Sequence, residues 1–300
     1  MFRKFTSAVA AALCVTVAGA GLAGCSDDAL EDWDPLAGAS RQAEPETFTG
    51  TKKIDVGGKS VNVSCTGTPA KGKPVIVLML GAGDGLDKMA ALQKTLGARN
   101  RVCSYDRLGA GASDKPDAQQ DVAAVGTVLT GVLDRVAGTN PVVLAGHSLG
   151  GLIAARYAPD HRDRVKGLVL MDATPATMSA DISRIIPENA TGPAAQVRAQ
   201  NLAIFAGQNP ERLVVRDGEV RSAGDIPVAV MRHGKPYLQA VPQYGAELER
   251  AWAAGQRKWL TLSTQSKAIT ATGSGHYIYV DQPDLTATTI QDVAAQATGA

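Results

Sequence analysis

The chain has 300 residues, 45% hydrophobic and 20% charged, with 30 basic side chains against 29 acidic ones and a formal net charge of +1. So even a balance gives no electrostatic basis for nucleic acid as a partner, and the apolar share excludes a chain disordered throughout. There are only four cysteines and four histidines; no Cys/His cluster has metal-ligand spacing and no phosphate-cradle motif occurs, so no cofactor is expected.

The chain begins with the basic start Met1-Phe2-Arg3-Lys4, followed by an uninterrupted run of small and apolar residues from Ala8 to Leu22. This is the layout of an export signal, and the run is short for a membrane span. It ends in Leu22-Ala23-Gly24-Cys25, which resembles the lipobox of bacterial lipoproteins. The resemblance implies cleavage after residue 24, acylation of Cys25 by chains such as palmitate, and a lipid-anchored protein on the extracytoplasmic side of the cell membrane. Residues 25–46, rich in Asp, Glu, Ala, Gly and Ser without periodicity, read as a solvated stalk. Loss of Arg3 and Lys4 with the signal turns the net charge from +1 to −1. With Cys14 removed and Cys25 committed to lipid, Cys65 and Cys103 remain. An even pair in an exported protein points to one disulfide, against the plainer reading of two buried thiols.

About 250 residues follow the stalk, enough for one large domain. Residues 47–56 and 59–65 alternate apolar with polar around Gly57-Gly58 and read as a β-hairpin. Val75 to Leu80 is a continuous apolar run of the central parallel-strand kind, closed by the turn Gly81-Ala82-Gly83-Asp84-Gly85. Met89, Leu92 and Leu96 mark a helix, Arg101 to Tyr105 the next strand, and Val122, Val125, Leu129, Val132, Leu133 and Val136 the apolar face of a second helix.

The strand Pro141 to Ala145 then leads into Gly146-His147-Ser148-Leu149-Gly150 and a helix from Leu152 to Ala158, ended by Pro159. This is a G-x-S-x-G pattern in a strand-turn-helix setting. The glycines admit a sharp turn that leaves the Ser148 hydroxyl exposed at a helix N-terminus. Val165 to Met171 is another strand. Residues 174–224, with Pro187, Pro193 and Pro210 and no core strand, read as a lid insertion whose Ile182, Ile185, Ile186, Leu202, Ile204 and Phe205 line a modest apolar pocket. A strand at 226–231, a helix at 244–259, a strand at 267–270 and a helix at 285–297 complete an α/β pattern with a mostly parallel, doubly wound sheet.

The order of the hairpin, Leu80-Gly81-Ala82-Gly83, Tyr105-Asp106-Arg107-Leu108-Gly109-Ala110-Gly111-Ala112-Ser113-Asp114, the Ser148 elbow, Val165 to Leu170 and Gly273-Ser274-Gly275-His276 resembles the α/β-hydrolase superfamily, over nearly everything from Thr47 to the C-terminus. The resemblance implies that the strands carrying Cys65 and Cys103 are neighbours, consistent with the disulfide.

A serine needs a base. His147 should point away from Ser148, and His161 lies in a solvated connection. His276 follows the last strand among small residues and comes after the serine in chain order, with His233 in reserve. Many family members place the triad acid just after the strand that here ends in Met231, yet Arg232-His233-Gly234-Lys235-Pro236 has no carboxylate. Asp172 stands at the alternative position used by dehalogenase-like members; Glu247 or Glu249 are remote replacements, and a turn-capping role for Asp172 is the plainer reading. Asp281 reads as a helix-entry residue before Pro283. The family's oxyanion donors map onto the backbone N–H groups of Ala82 and Leu149. Asp106 and Arg107 read as a charged pair that holds the loops of the site.

The expectation is an exported, membrane-anchored serine hydrolase acting on an ester-like bond of a small or lipophilic uncharged substrate. The alternative is a non-catalytic lipoprotein that uses the fold as a binding or scaffold module.

Overall fold

The computed structural model describes residues 47–298. The expected signal peptide of residues 1–24, lipid site at Cys25 and stalk of residues 25–46 lie outside the described residues. Eight strands form one sheet in the order β1-β2-β4-β3-β5-β6-β7-β8. They are β1 (Gly50–Val56), β2 (Lys59–Thr66), β3 (Val75–Met79), β4 (Val102–Tyr105), β5 (Val142–His147), β6 (Val165–Met171), β7 (Val228–His233) and β8 (Ser266–Ala271). Only β2 runs antiparallel to its two neighbours, β1 and β4, and every other adjacent pair is parallel.

All five residues of β3 are buried. Alternate side chains leave opposite faces of a strand, so a strand covered on both sides must be apolar at every position. Val75, Val77 and Met79 join one core with residues of α2 (Val122–Ala137) and α3 (Leu149–Tyr157). Ile76, Leu78 and Leu80 join a second with α1 (Ala90–Gly97) and α8 (Pro283–Ala297). In α2 the buried Val125, Leu129, Val132, Leu133 and Val136 keep helical spacing, and the Asp121 side chain caps the helix by accepting from Ala124 N at 2.8 Å. A Cys65–Cys103 disulfide ties β2 to β4, whose register sets the two residues directly opposite each other.

Between β6 and β7 the chain forms α4 (Met178–Ile185) and α5 (Gly192–Phe205), then an irregular run back to the sheet. The apolar residues assigned above to a pocket lining are used differently. Ile182, Ile185, Ile186 and Phe205 are buried in the larger core and Leu202 and Ile204 pack against it, so they anchor the two helices. The helix after Ser148 starts at Leu149, one turn earlier than the apolar run suggests. A single-turn α7 (Ile278–Asp281) precedes α8, too short to show a period. Helix α6 (Gly245–Trp259) lies beyond β7, with Leu248, Trp252 and Trp259 buried. Among the described residues no helix is long and apolar enough to cross a membrane.

Candidate active site

Ser148 occupies the junction of β5 and α3 with φ 50° and ψ −119°, a left-handed conformation that costs a non-glycine residue on the order of 1–3 kcal/mol. Close packing enforces it. A Cβ on Gly146 would stand 2.6 Å from backbone atoms of Gly150 and Gly151, and one on Gly150 would stand 2.3 Å from the carbonyl oxygen of Met79. Neighbouring backbone adds two bonds, from Ser148 N to Met171 O at 3.2 Å and from Thr174 N to Ser148 O at 3.0 Å. The Ser148 hydroxyl lies 3.4 Å from Thr174 Oγ1 and, among the described residues, makes no hydrogen bond to a histidine.

The backbone N–H groups of Ala82 and Leu149 have no backbone acceptor among the described residues. Ala82 is held by its neighbours in the turn after β3. Arg107 Nη1 donates to Leu80 O at 2.5 Å and Nη2 to Gly81 O at 2.6 Å. In a trans peptide the N–H points opposite to the C=O, so fixing the Gly81 carbonyl toward Arg107 turns the Ala82 N–H the other way. Arg107 in turn meets Glu211 in a two-pronged pair, Nε to Oε2 at 2.8 Å and Nη2 to Oε1 at 2.9 Å, with both side chains almost completely buried. Glu211 Oε1 also accepts from Gly83 N at 2.6 Å.

Asp106 and Arg107 therefore do not pair with each other, contrary to the reading above. Asp106 accepts from Leu86 N, Ala112 N and Asn62 Nδ2, each within 2.9 Å. They leave the end of β4 in different directions, as successive residues on an extended chain do.

Asp172 is fully buried, also has a positive φ of 47°, and receives four donors. His276 Nδ1 stands 2.7 Å from Oδ2. His233 Nδ1 lies 2.8 Å from Oδ1, His233 N donates to Oδ1 at 3.2 Å, and Trp252 Nε1 does so at 2.9 Å. Burial alone would raise the carboxyl's pKa; the bonds from the two histidines outweigh it and hold the value down to about 2. The register of β6 and β7, with Met171 opposite Met231, brings Asp172 beside His233 at the strand ends. Where family members carry the acid, this chain thus presents a histidine that binds the acid of the neighbouring strand.

His233 continues the chain outward. Its Nε2 lies 2.8 Å from Glu249 Oε2, and Glu249 Oε1 accepts from Leu238 N at 2.6 Å. Desolvation pulls the His233 pKa down, but the two carboxylates raise it on balance. His147 donates from Nε2 to His276 O at 3.0 Å, and burial, followed by the nearby His276, lowers its pKa to about 3, so it is neutral. His161 stacks on Tyr157 with ring centroids 3.8 Å apart. Glu247 pairs with Arg184 at 2.7 Å and takes no part in the Asp172 cluster. Asp281 does not open a helix. It accepts from Gly275 N at 2.9 Å and Ser274 Oγ at 3.1 Å, fixing the loop that presents His276.

The structure thus collects Ser148, Asp172, His276, Ala82 and Leu149 at the C-terminal ends of the parallel strands. Sequence reasoning missed Glu211, which lies in an aperiodic stretch, and kept His233 and Glu249 only as substitutes.

The sequence profile of the alpha/beta hydrolase fold matches residues 74–270, and the chain belongs to that family. The protein named "Putative carbamate hydrolase RutD" from Klebsiella pneumoniae (strain 342) is 32% identical over 145 residues, 47% of this chain and 54% of that protein. A mouse (Lyso)-N-acylphosphatidylethanolamine lipase is 30% identical over 105 residues, 34% of this chain and 31% of that protein. The chain thus spans about half the length, or less, of these relatives. Among solved structures, a serine hydrolase involved in carbazole degradation, the CarC enzyme, superposes with a TM-score of 0.59 at 18% identity, covering 83% of this chain and 99% of that one. At that identity the likeness concerns the fold.

Proposed function

We propose that the chain is a serine hydrolase that cleaves an ester-like bond through an acyl-enzyme. The observation that carries this reading is the Asp172–His276 bond at 2.7 Å beside a strained serine on a strand-to-helix turn. Because Asp172 accepts a hydrogen bond from the Nδ1–H of His276, Nε2 keeps its lone pair and is the nitrogen available as base. On substrate binding His276 Nε2 and Ser148 Oγ close to hydrogen-bond distance, as such contacts often tighten only in the complex. Ser148 Oγ bonds to the carbonyl carbon as its proton passes to His276, and the carbonyl electron pair moves to oxygen, facing the Ala82 and Leu149 N–H groups. Collapse of the tetrahedral species expels the alcohol, which takes the proton from His276. Water repeats the sequence and frees the acid.

The substrate is small or lipophilic and uncharged. The proposed location is the outer face of the cell membrane, with lipid on Cys25; the lipobox resemblance and the Cys65–Cys103 disulfide support it.

A fluorophosphonate probe tests the reading. One label per chain is expected in the wild type and none in Ser148→Ala. A folded wild-type protein that does not react would leave the scaffold reading in its place. A panel of acyl esters of graded chain length then assigns the substrate.

A further inference from the structure

The triad acid of the proposed hydrolase is shared between two imidazoles, and only one of them belongs to the triad. Each ring nitrogen of His233 faces a carboxylate oxygen at 2.8 Å, Nδ1 toward Asp172 and Nε2 toward Glu249. A neutral imidazole donates from one nitrogen only, whereas two carboxylates on opposite sides need a donor from each. Neither carboxylate is turned elsewhere for want of partners: Asp172 also takes the Trp252 indole N–H, and Glu249 takes the Leu238 N–H with its second oxygen. The side chain of His233 is 8% exposed and that of Glu249 16%, so water screens the arrangement only weakly. A His233 that carries a proton on each ring nitrogen satisfies both carboxylates at once.

We propose that His233 and Glu249 are positioning residues that act through Asp172, keeping the charge that His276 experiences at a single negative instead of the two that Asp172 and Glu249 would present alone. The inference rests on the serine-hydrolase reading for its effect on rate, but not for the state of His233. The direction of His233's pKa, upward once its carboxylate bonds offset burial, agrees with it.

The groups of this cluster and those packed against it come first from four elements. They are Asp172 after β6, Tyr237 beyond β7 with its ring 4.9 Å from that of His233, Glu249 and Trp252 on α6, and His276 and Tyr277 after β8. His147 at the end of β5 stacks obliquely on His276 at 4.5 Å and is neutral, and Asp84 in the turn after β3 adds a further carboxyl within electrostatic reach of His276. Apart from His276 itself, none of these supplies a second positive charge to Asp172, so removal of His233's charge is not masked.

The sign follows from charge alone. In His233→Asn the imidazolium is gone and both carboxylates remain, so the charge facing His276 becomes more negative by one. The acid limb of the fluorophosphonate labelling rate should move up by about one to two pH units, equivalent to a tenfold or greater loss of rate at the foot of the limb. The double variant His233→Asn/Glu249→Gln removes one charge of each sign, and its limb should return toward the wild-type position. A role limited to packing would lower rate or stability in both variants without moving the limb.

The decisive experiment pairs these profiles with ¹⁵N spectra of the full-length protein labelled at its four histidines. At pH 7 the two ring nitrogens of His233 should both show imidazolium shifts. A limb that stays in place in His233→Asn, or a neutral tautomer of His233 in the wild type, overturns the inference; the second result does not depend on the variant folding. If the wild type shows the imidazolium but never labels, the hydrolase reading fails while the charge arrangement stands.

Discussion

The turn bearing Ala82 and the strand end bearing Asp172 lie on opposite sides of Ser148, and both are braced by buried charge. On the Ala82 side the brace is Arg107 with Glu211, a guanidinium that stays charged at every accessible pH and whose planar fork fixes two carbonyls at once. On the Asp172 side it is His233 with Glu249, an imidazole, whose charge depends on a proton that it can release. In the proposed reaction the two sides have different tasks. The oxyanion donors must be in place before charge develops and must not vary, which suits a group that never titrates. The base changes its protonation state in every cycle, and its surroundings are built from groups that titrate as well. The comparison ties the choice of cation on each side to whether geometry or charge is being held.

Asp172→Asn breaks the acid side at its centre. It should lower kcat on the order of 10⁴-fold, with the fold intact by circular dichroism, because the imidazole loses the partner that sets its tautomer. An unchanged kcat would move the role of the acid to Glu249. Glu211→Gln addresses the other side and sharpens the contrast. It leaves Arg107 buried without a counter-ion, which should cost about 3–5 kcal/mol of stability by denaturant unfolding, and kcat should fall on the order of 10²-fold as the turn loosens. Its pH–rate limb should coincide with that of the wild type, in contrast to His233→Asn.

The smallest effect is on stability against acid. The Asp172 carboxyl has its folded pKa depressed to about 2, so it binds protons more weakly in the folded state than in the unfolded one. Its contribution, on the order of 2 kcal/mol, is therefore complete above about pH 4 and lost as pH falls toward 2. His233 has the opposite sign. Its pKa is raised, so its contribution is complete below about pH 6.5 and lost as pH rises through the folded value. Chemical denaturation in steps of pH should show the first loss in the wild type and not in Asp172→Asn.

The parts of the fold that were legible in the sequence are those whose signal is local. The run Val75 to Met79 is apolar throughout, and Val165 to Met171 apolar but for Lys166 near its start, because helices cover both faces, and the Ser148 elbow carries its own glycines. The braces were not legible because they depend on long-range register. Arg107 and Glu211 are 104 residues apart, and Glu211 follows Pro210 in a stretch without periodicity, so neither spacing nor pattern marks it. His233 and Glu249 were visible as chemistry but not as partners, since it is the pairing of β6 with β7 that sets Asp172 beside His233. The reading of Asp106 with Arg107 as a pair failed for a related reason, because adjacency in sequence on an extended segment separates side chains. For Ile182, Ile185 and Ile186 apolar character alone did not distinguish a pocket wall from an anchor to the core.

The central claim is that Ser148 carries the acyl group during turnover. Its most direct test is acid quenching of the full-length protein within the first turnover of an activated p-nitrophenyl ester, followed by mass analysis of the intact chain and of its Ser148 peptide. The account predicts a mass increase of one acyl group, located on Ser148 and absent from Ser148→Ala. Ester cleavage with no acyl group on the chain, or with the acyl group on another residue, would contradict it.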